Sequence, residues 1–432
     1  MRILSITAGA AGMYCGSCLR DNALAAELMR RGHDVILLPL YTPLRTDEVN
    51  VAHGKVFFGG ISIYLQQQSR LFRKTPRFVD RLWDSRWALK LASRGSIPTS
   101  PKMLGELTVS TLSGANGIHS TEVDKLLEWL RSEPLPDVVN LPNALLIGLA
   151  EPVKRALGRP VCCTLQGEDL FLEGLPEPYR TRSLDLIRGQ LEHVDAFLPV
   201  SDYYAAFMTR YLDIPEEKTH VVGIGINTAD FPFRPRQPQP RFTVGYLARI
   251  APEKGLDVLV GAYLHLRRTT DFDGTLEIAG YLPAEHLGYL NAQRRRLDGF
   301  DFRVHGELDR EQKIRFLRSL DVLSVPCVYA EPKGLPLLEA MSSGVPVVEP
   351  RTGAFPEILR RTGGGLLTEP GPEAIARGIY ELWRDPGRRR RLGEAGAVGV
   401  REHYTVEAMA DAAMVIFTRL AEGAAVPQPA RA

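Results

Sequence analysis

Short apolar runs alternate with stretches of helical periodicity along most of this chain. In the first half Ile3–Thr7, Val35–Pro39, Val138–Leu141, Val161–Leu165 and Ala196–Val200 read as strands, and Leu19–Arg30, Glu122–Arg131 and Ala144–Leu157 as the helices between them. The rhythm stops at Phe231–Pro240 (FPFRPRQPQP), a proline-dense stretch without periodicity that reads as a linker. It restarts with Phe242–Ala248, Leu276–Ala279, Phe302–His305, Val322–Val325 and Val345–Val348 as further strands. Strands alternating with helices predict parallel α/β architecture, and the break predicts two such domains, residues 1–235 and 241–403.

Composition fits this picture and excludes several classes. The chain has 432 residues, 44% of them hydrophobic, which is long for one core and suits two. Lys and Arg number 53 against 51 Asp and Glu, so the net charge of +2 gives no sign of a nucleic-acid binder. Met1–Thr7 has neither the length nor the flanks of a signal peptide, and no apolar run approaches the roughly 20 residues that span a bilayer. The expectation is a cytoplasmic protein. Five cysteines fit a reducing compartment better than a disulfide framework. Cys15-Gly-Ser-Cys18 is a CxxC, but without a second CxxC or ordered histidines it reads as small residues where a turn enters a helix rather than as a metal or redox site.

Two segments carry chemistry. In Glu331-Pro-Lys-Gly-Leu-Pro-Leu-Leu-Glu339, Pro332, Gly334 and Pro336 keep Glu331 in a loop, while Leu337–Met341 starts a helix with proline near its first turn. Glu331 therefore sits beside free backbone N–H groups and the positive end of a helix dipole, and Glu339 lies about one turn inside the helix, able to accept from paired hydroxyls. In Gly245-Tyr-Leu-Ala-Arg249-Ile-Ala-Pro-Glu-Lys254-Gly255 a strand ends and two cations follow five residues apart. A guanidinium fork and a mobile ammonium there could neutralise a diphosphate.

Together these segments resemble the E-x7-E and G-R-x-x-x-x-K-G elements of retaining glycosyltransferases of the GT-B fold, most closely glycosyltransferase family 4. The resemblance implies two Rossmann-like domains facing a cleft, with the helix at 404–421 crossing back to the first domain and an Ala/Pro-rich tail, 422–432, left disordered. It implies a nucleotide diphosphate sugar of UDP, GDP or ADP type as co-substrate. Arg249 and Lys254 would hold the donor phosphates, Glu331 the sugar and Glu339 the ribose, with Gly334 and Leu335 alongside; Arg249, Lys254 and Glu331 would be the catalytic set. Retention would follow from same-face attack, the departing phosphate oxygen taking the acceptor proton. No metal or other cofactor is required in this reading, since the chain has no Asp-x-Asp in a suitable loop.

In the first domain the resemblance is looser. Of the glycine loop Ala8–Cys18 only Gly16 is a reasonable equivalent of the family's donor-facing glycine pair, and the loop does not fit a nicotinamide fingerprint. Where relatives commonly carry histidines this chain has Asn140, Pro142 and Gln166, amides that keep hydrogen bonding but lose a titratable proton. Asn140 and Gln166 are thus candidates for the acceptor pocket, the acceptor being a glycan, a lipid-linked molecule or a small molecule. They also leave open a catalytically altered nucleotide-sugar-binding protein, and the fold leaves open a sugar-nucleotide epimerase. Residues 70–102 hold nine Lys or Arg against two Asp, with Trp83, Trp87, Phe72 and Phe78 interleaved. That pattern fits a helix pair packing its aromatics on the first domain, or peripheral contact with an anionic membrane at its inner face.

Overall fold

The computed structural model describes residues 1–9, 15–57, 101–118, 120–233 and 241–423. The chain forms two compact units, Met1–Gly223 with Ala410–Ala432, and Ile224–Met409. The basic stretch 70–102, apart from Pro101 and Lys102 at the start of the helix Pro101–Leu112, lies outside the described residues.

The first unit is built on a five-stranded parallel sheet of order β2-β1-β3-β4-β5: β1 Arg2–Thr7, β2 Asp34–Pro39, β3 Val138–Leu141, β4 Val161–Leu165 and β5 Ala196–Pro199. The last three strands are buried at every position, as strands covered by helices on both faces must be. The stretch predicted as one helix over Ala144–Leu157 is instead a 3-10 segment, Ala144–Leu149, followed by an α-helix, Ala150–Leu157. Pro152 is the reason: a proline lacks the N–H that a helix interior needs, and starting at Ala150 puts it in the first turn, where that donor is idle. Asn143 caps the 3-10 segment through its side chain, accepting from the Leu145 N–H at 3.1 Å.

The second unit carries a six-stranded parallel sheet of order β11-β10-β9-β6-β7-β8: β6 Phe242–Leu247, β7 Gly274–Ala279, β8 Phe302–Gly306, β9 Val322–Leu323, β10 Val347–Pro350 and β11 Gly365–Thr368. β9 is shorter than the predicted Val322–Val325 because the Val325 N–H turns to the Glu349 carboxyl at 2.9 Å instead of a neighbouring strand. β10 begins later than predicted. Val345 still bonds the end of the preceding helix through Ala340 O (2.9 Å), and Pro346 has no N–H to give a ladder. Both sheets are doubly wound, as the alternation of the sequence required.

In each sheet the strand order reverses once, between β1 and β3 in the first unit and between β6 and β9 in the second. Such switch points open a crevice outside the carboxyl ends of the strands, where ligands bind in α/β folds. The segments singled out from the sequence leave the sheets at these two places. After Met409 the chain rejoins the first unit within the helix Val406–Ala421, where Asp411 pairs with Arg31 at 2.5 Å.

Candidate functional site

At the second unit's switch point the backbone brings two loops together before any side chain does. The segment after β6 makes a 3-10 turn, Pro252–Lys254, and Gly255 (φ +70°) then opens the helix Leu256–Thr269. A Cβ on Gly255 would lie 1.9 Å from the Pro326 carbonyl oxygen, so only glycine permits this approach. The Val328 N–H closes the seam onto Glu253 O at 3.1 Å. The result is a lysine aimed at the loop that follows β9.

Lys254 Nζ donates to Glu331 Oε2 at 2.5 Å and to Tyr329 Oη at 2.7 Å, and it lies 4.9 Å above the Tyr329 ring. The Tyr329 hydroxyl also donates to Glu331, and the Lys333 N–H reaches Glu331 Oε1 at 3.2 Å. Burial alone would raise the Glu331 pKa, but the Lys254 ammonium, Lys333 and the Tyr329 hydroxyl bring it down to about 2. Burial likewise opposes the charge on Lys254, and Glu331 overcomes it, leaving the lysine pKa raised. The pair is therefore ionised across the neutral range. Behind it, Gly353 (φ +58°) lets the next turn press on the Glu331 main chain, whose carbonyl accepts from the Ala354 N–H at 2.8 Å.

Gly334 (φ +70°) turns the chain into the helix Leu335–Ser342, with Pro336 in the first turn and Leu335 at the end where N–H groups have no partner inside the helix. Glu339 sits on that helix and is 8% exposed. It has a lysine of its own: Lys313 Nζ meets Glu339 Oε1 at 2.5 Å, delivered by the helix Arg310–Ser319, which starts with an Asp309/Gln312 capping box. Each glutamate of the E-x7-E segment is thus matched to a separate ammonium. Arg249 stands apart from this pairing. Its guanidinium bonds Glu253 Oε1 at 2.5 Å with the side chain 38% exposed, yet it lies close enough to Lys254 to oppose that charge.

The first unit gathers a different set at its own switch point. Asn140, on β3, accepts from the Thr164 hydroxyl at 3.1 Å, and Gln166 donates to Pro142 O at 2.7 Å and to Asp21 Oδ1 at 3.3 Å. Thr7, at the end of β1, gives its hydroxyl hydrogen to Asp21 Oδ2 at 3.0 Å. Burial raises the Asp21 pKa to about 6 against the pull of Arg20, Thr7 and Gln166. Arg20 is 1% exposed and pairs with Asp21 at 3.4 Å, and among the described residues its Nε and Nη2 have no hydrogen-bond partner. Glu168 fastens the loops together, accepting from the Ala144 N–H (2.9 Å), the Gln166 N–H (2.7 Å) and the Tyr204 hydroxyl (3.2 Å). Gly16 is the first residue of the helix Gly16–Arg30 that carries Arg20 and Asp21.

Sequence reasoning missed Tyr329, Lys313, Arg20, Asp21 and Glu168. Tyr329 had a signal, since it stands two residues before Glu331 and so shares its face in an extended segment. Lys313 meets Glu339, Asp21 meets Thr7 and Gln166, and Glu168 meets Ala144 and Tyr204 only through the fold. Among the described residues no three His, Cys, Asp or Glu side chains come together as a metal-holding group, and no helix is long and apolar enough to cross a membrane.

Residues 227–398 match the family described as Glycosyl transferases group 1, and residues 112–230 match Glycosyltransferase Family 4. The chain belongs to the group 1/family 4 glycosyltransferases. Arg249, Lys254, Glu331, Gly334, Leu335 and Glu339 of this glycosyltransferase fall within the first match and Asn140 and Gln166 within the second, while Gly16 precedes both. Solved structures share its fold across nearly the whole length. Sucrose-phosphate synthase from Thermosynechococcus elongatus is 18% identical with a TM-score of 0.73, covering 98% of this chain and 100% of that one. HepE from Anabaena, in complex with UDP and glucose, is 14% identical with a TM-score of 0.65, covering 97% and 99%. The catalytic domain of starch synthase IV from Arabidopsis thaliana, bound to ADP and acarbose, is 14% identical with a TM-score of 0.63, covering 98% and 99%. The fold of this glycosyltransferase is accordingly GT-B, with two Rossmann-like units. No curated protein matches its sequence.

Proposed function

We propose that this glycosyltransferase transfers a sugar from a nucleotide diphosphate sugar to an acceptor hydroxyl with retention of configuration. The observation that carries the reading is the Lys254 ammonium, held between Glu331 and Tyr329 at the carboxyl ends of β6 and β9. Lys254 supplies a fixed positive charge for a departing phosphate, and Arg249 adds a second, more exposed one. Glu331, anionic throughout the working pH range, accepts from sugar hydroxyls and positions the ring. Lys313 engages Glu339 through Oε1, which orients the carboxylate for a ribose diol. The phosphate oxygen leaving under Lys254 takes the acceptor proton on the face it vacates, so no protein nucleophile is needed. On the other unit, Asn140, Gln166 and Gly16 serve the reacting partners through neutral hydrogen bonds.

UDP and glucose in HepE, and ADP in starch synthase IV, support a nucleoside diphosphate as the shared donor part. Thermal-shift titration with UDP, GDP and ADP and their glucose conjugates tests this. A ligand at a hundred times its Kd stabilises the native state by about 2.7 kcal/mol, and Lys254→Ala abolishes the gain. Absence of a shift with all three diphosphates at millimolar concentration refutes the donor assignment. An inverted anomeric centre in the product, read by NMR, refutes the mechanism.

A further inference from the structure

All five cysteines are free thiols, and four of them, Cys18, Cys162, Cys163 and Cys327, are buried. Cys15 alone is part-exposed. It is the N-cap residue of the helix Gly16–Arg30, in extended conformation (φ −118°, ψ 126°), and Cys18 lies in that helix's first turn. An N-cap side chain reaches toward the third residue of its helix, and that position is Cys18. The Cys18 thiol in fact hydrogen-bonds the Cys15 sulfur.

The two sulfurs have unequal settings. Cys15 stands at the positive end of the helix, where negative sulfur is favoured, and it is part-exposed. Cys18 is 2% exposed, and its bond to Cys15, its burial and Asp21 hold it firmly as the neutral thiol. A reachable attacking sulfur above a buried resolving one is the arrangement of an exchanging dithiol.

We propose that Cys15 and Cys18 form a redox modification site that closes to an intramolecular disulfide by exchange with a small-molecule disulfide such as oxidised glutathione. The Cys15 thiolate attacks one glutathione sulfur, the S–S bond breaks, and one glutathione leaves, taking up the proton that Cys15 has shed. Cys18 then attacks the Cys15 sulfur of the mixed disulfide and hands its proton to the second departing glutathione. Two protein thiols lose two electrons, and one glutathione disulfide becomes two thiols. The site is tied to the first unit's polar network, because Thr7 Oγ1 lies 3.9 Å from Cys18 Sγ and 3.0 Å from Asp21 Oδ2, and Asp21 holds Gln166. Its chemistry uses none of Arg249, Lys254, Glu331 and Glu339.

The test equilibrates the native full-length protein with oxidised glutathione, traps remaining thiols with N-ethylmaleimide and maps peptides by mass spectrometry. The expected result is loss of alkylation at Cys15 and Cys18 together, as a linked pair that dithiothreitol reopens, while Cys162, Cys163 and Cys327 stay thiols. Cys18→Ser accumulates a lasting glutathione adduct on Cys15, and Cys15→Ser takes none on Cys18. The inference is overturned if both thiols of the wild-type protein remain alkylatable, or if wild type accumulates the Cys15 adduct as heavily as Cys18→Ser. The wild-type measurement decides alone should a variant fail to fold.

Discussion

Replacing Glu331 by Gln tests the electrostatic centre of the second unit. The substitution keeps the shape and one acceptor oxygen, which serves Tyr329 or the Lys333 N–H but not both, and removes the charge that faces Lys254. Lowering the Glu331 pKa from 4.5 to about 2 corresponds to about 3 kcal/mol in favour of the folded, ionised state at neutral pH. Both side chains are sheltered, at 8% and 19% exposure, so solvent screening removes little of it. Hydrogen exchange of peptides covering Phe242–Leu247 and Val322–Leu323, read by mass spectrometry at pH 7, is expected to speed up about a hundredfold in the variant. The pH dependence has a definite sign. The contribution is complete above pH 4.5 and is lost as the pH falls through 2, so the variant loses that acid limb. Combining Glu331→Gln with Lys254→Met removes the stranded cation and should cost less than the sum of the singles. An acceleration below about threefold in Glu331→Gln, or strict additivity in the double variant, refutes this reasoning.

Gly255→Ala forces a Cβ to 1.9 Å from a main-chain oxygen at a positive φ, and urea denaturation should show a loss of at least about 2 kcal/mol with weakened diphosphate binding. Glu339→Ala should weaken UDP, GDP or ADP binding about tenfold by calorimetry yet leave inorganic pyrophosphate binding unchanged, because the contact is assigned to the ribose. Glu349, buried completely, has its pKa pushed well up by burial, with one oxygen accepting from the Val325 N–H and the other without a partner among the described residues. Its contribution is present below pH 4.5 and fades as the pH rises toward the folded value. Glu349→Gln, which cannot ionise, should therefore gain stability relative to wild type between pH 5 and pH 8 in chemical denaturation, at an expected scale of about 1 kcal/mol.

The sequence displayed what depends on near neighbours. β3 and β4 begin and end where their apolar runs do, since nothing but burial defines them. Glu331, Lys254 and the glycines that aim them were legible because local breaks in helix and strand surround them. β11 was not legible: Gly365–Thr368 is an edge strand, half-buried at every position, whose two preceding glycines give no strand pattern. Lys313 lies on a helix with five charged residues in ten and looked solvated, and its partner is 26 residues away. Arg20 and Asp21 were equally hidden, because helical periodicity assigns charges to solvent, whereas this helix buries nine of its fifteen residues.

The unequal shelter of the two cations beside β6 has a consequence in solution. Arg249 is 38% exposed and Lys254 19%, the latter roofed by tyrosine. Dissolved electrolyte screens charges over about 8 Å at physiological ionic strength, and it acts on surface groups far more than on sheltered ones. Potassium chloride should therefore erode the guanidinium's share in capturing an anion and leave the ammonium's largely intact. Long-range attraction and final retention of a charged ligand become separable simply by changing the buffer.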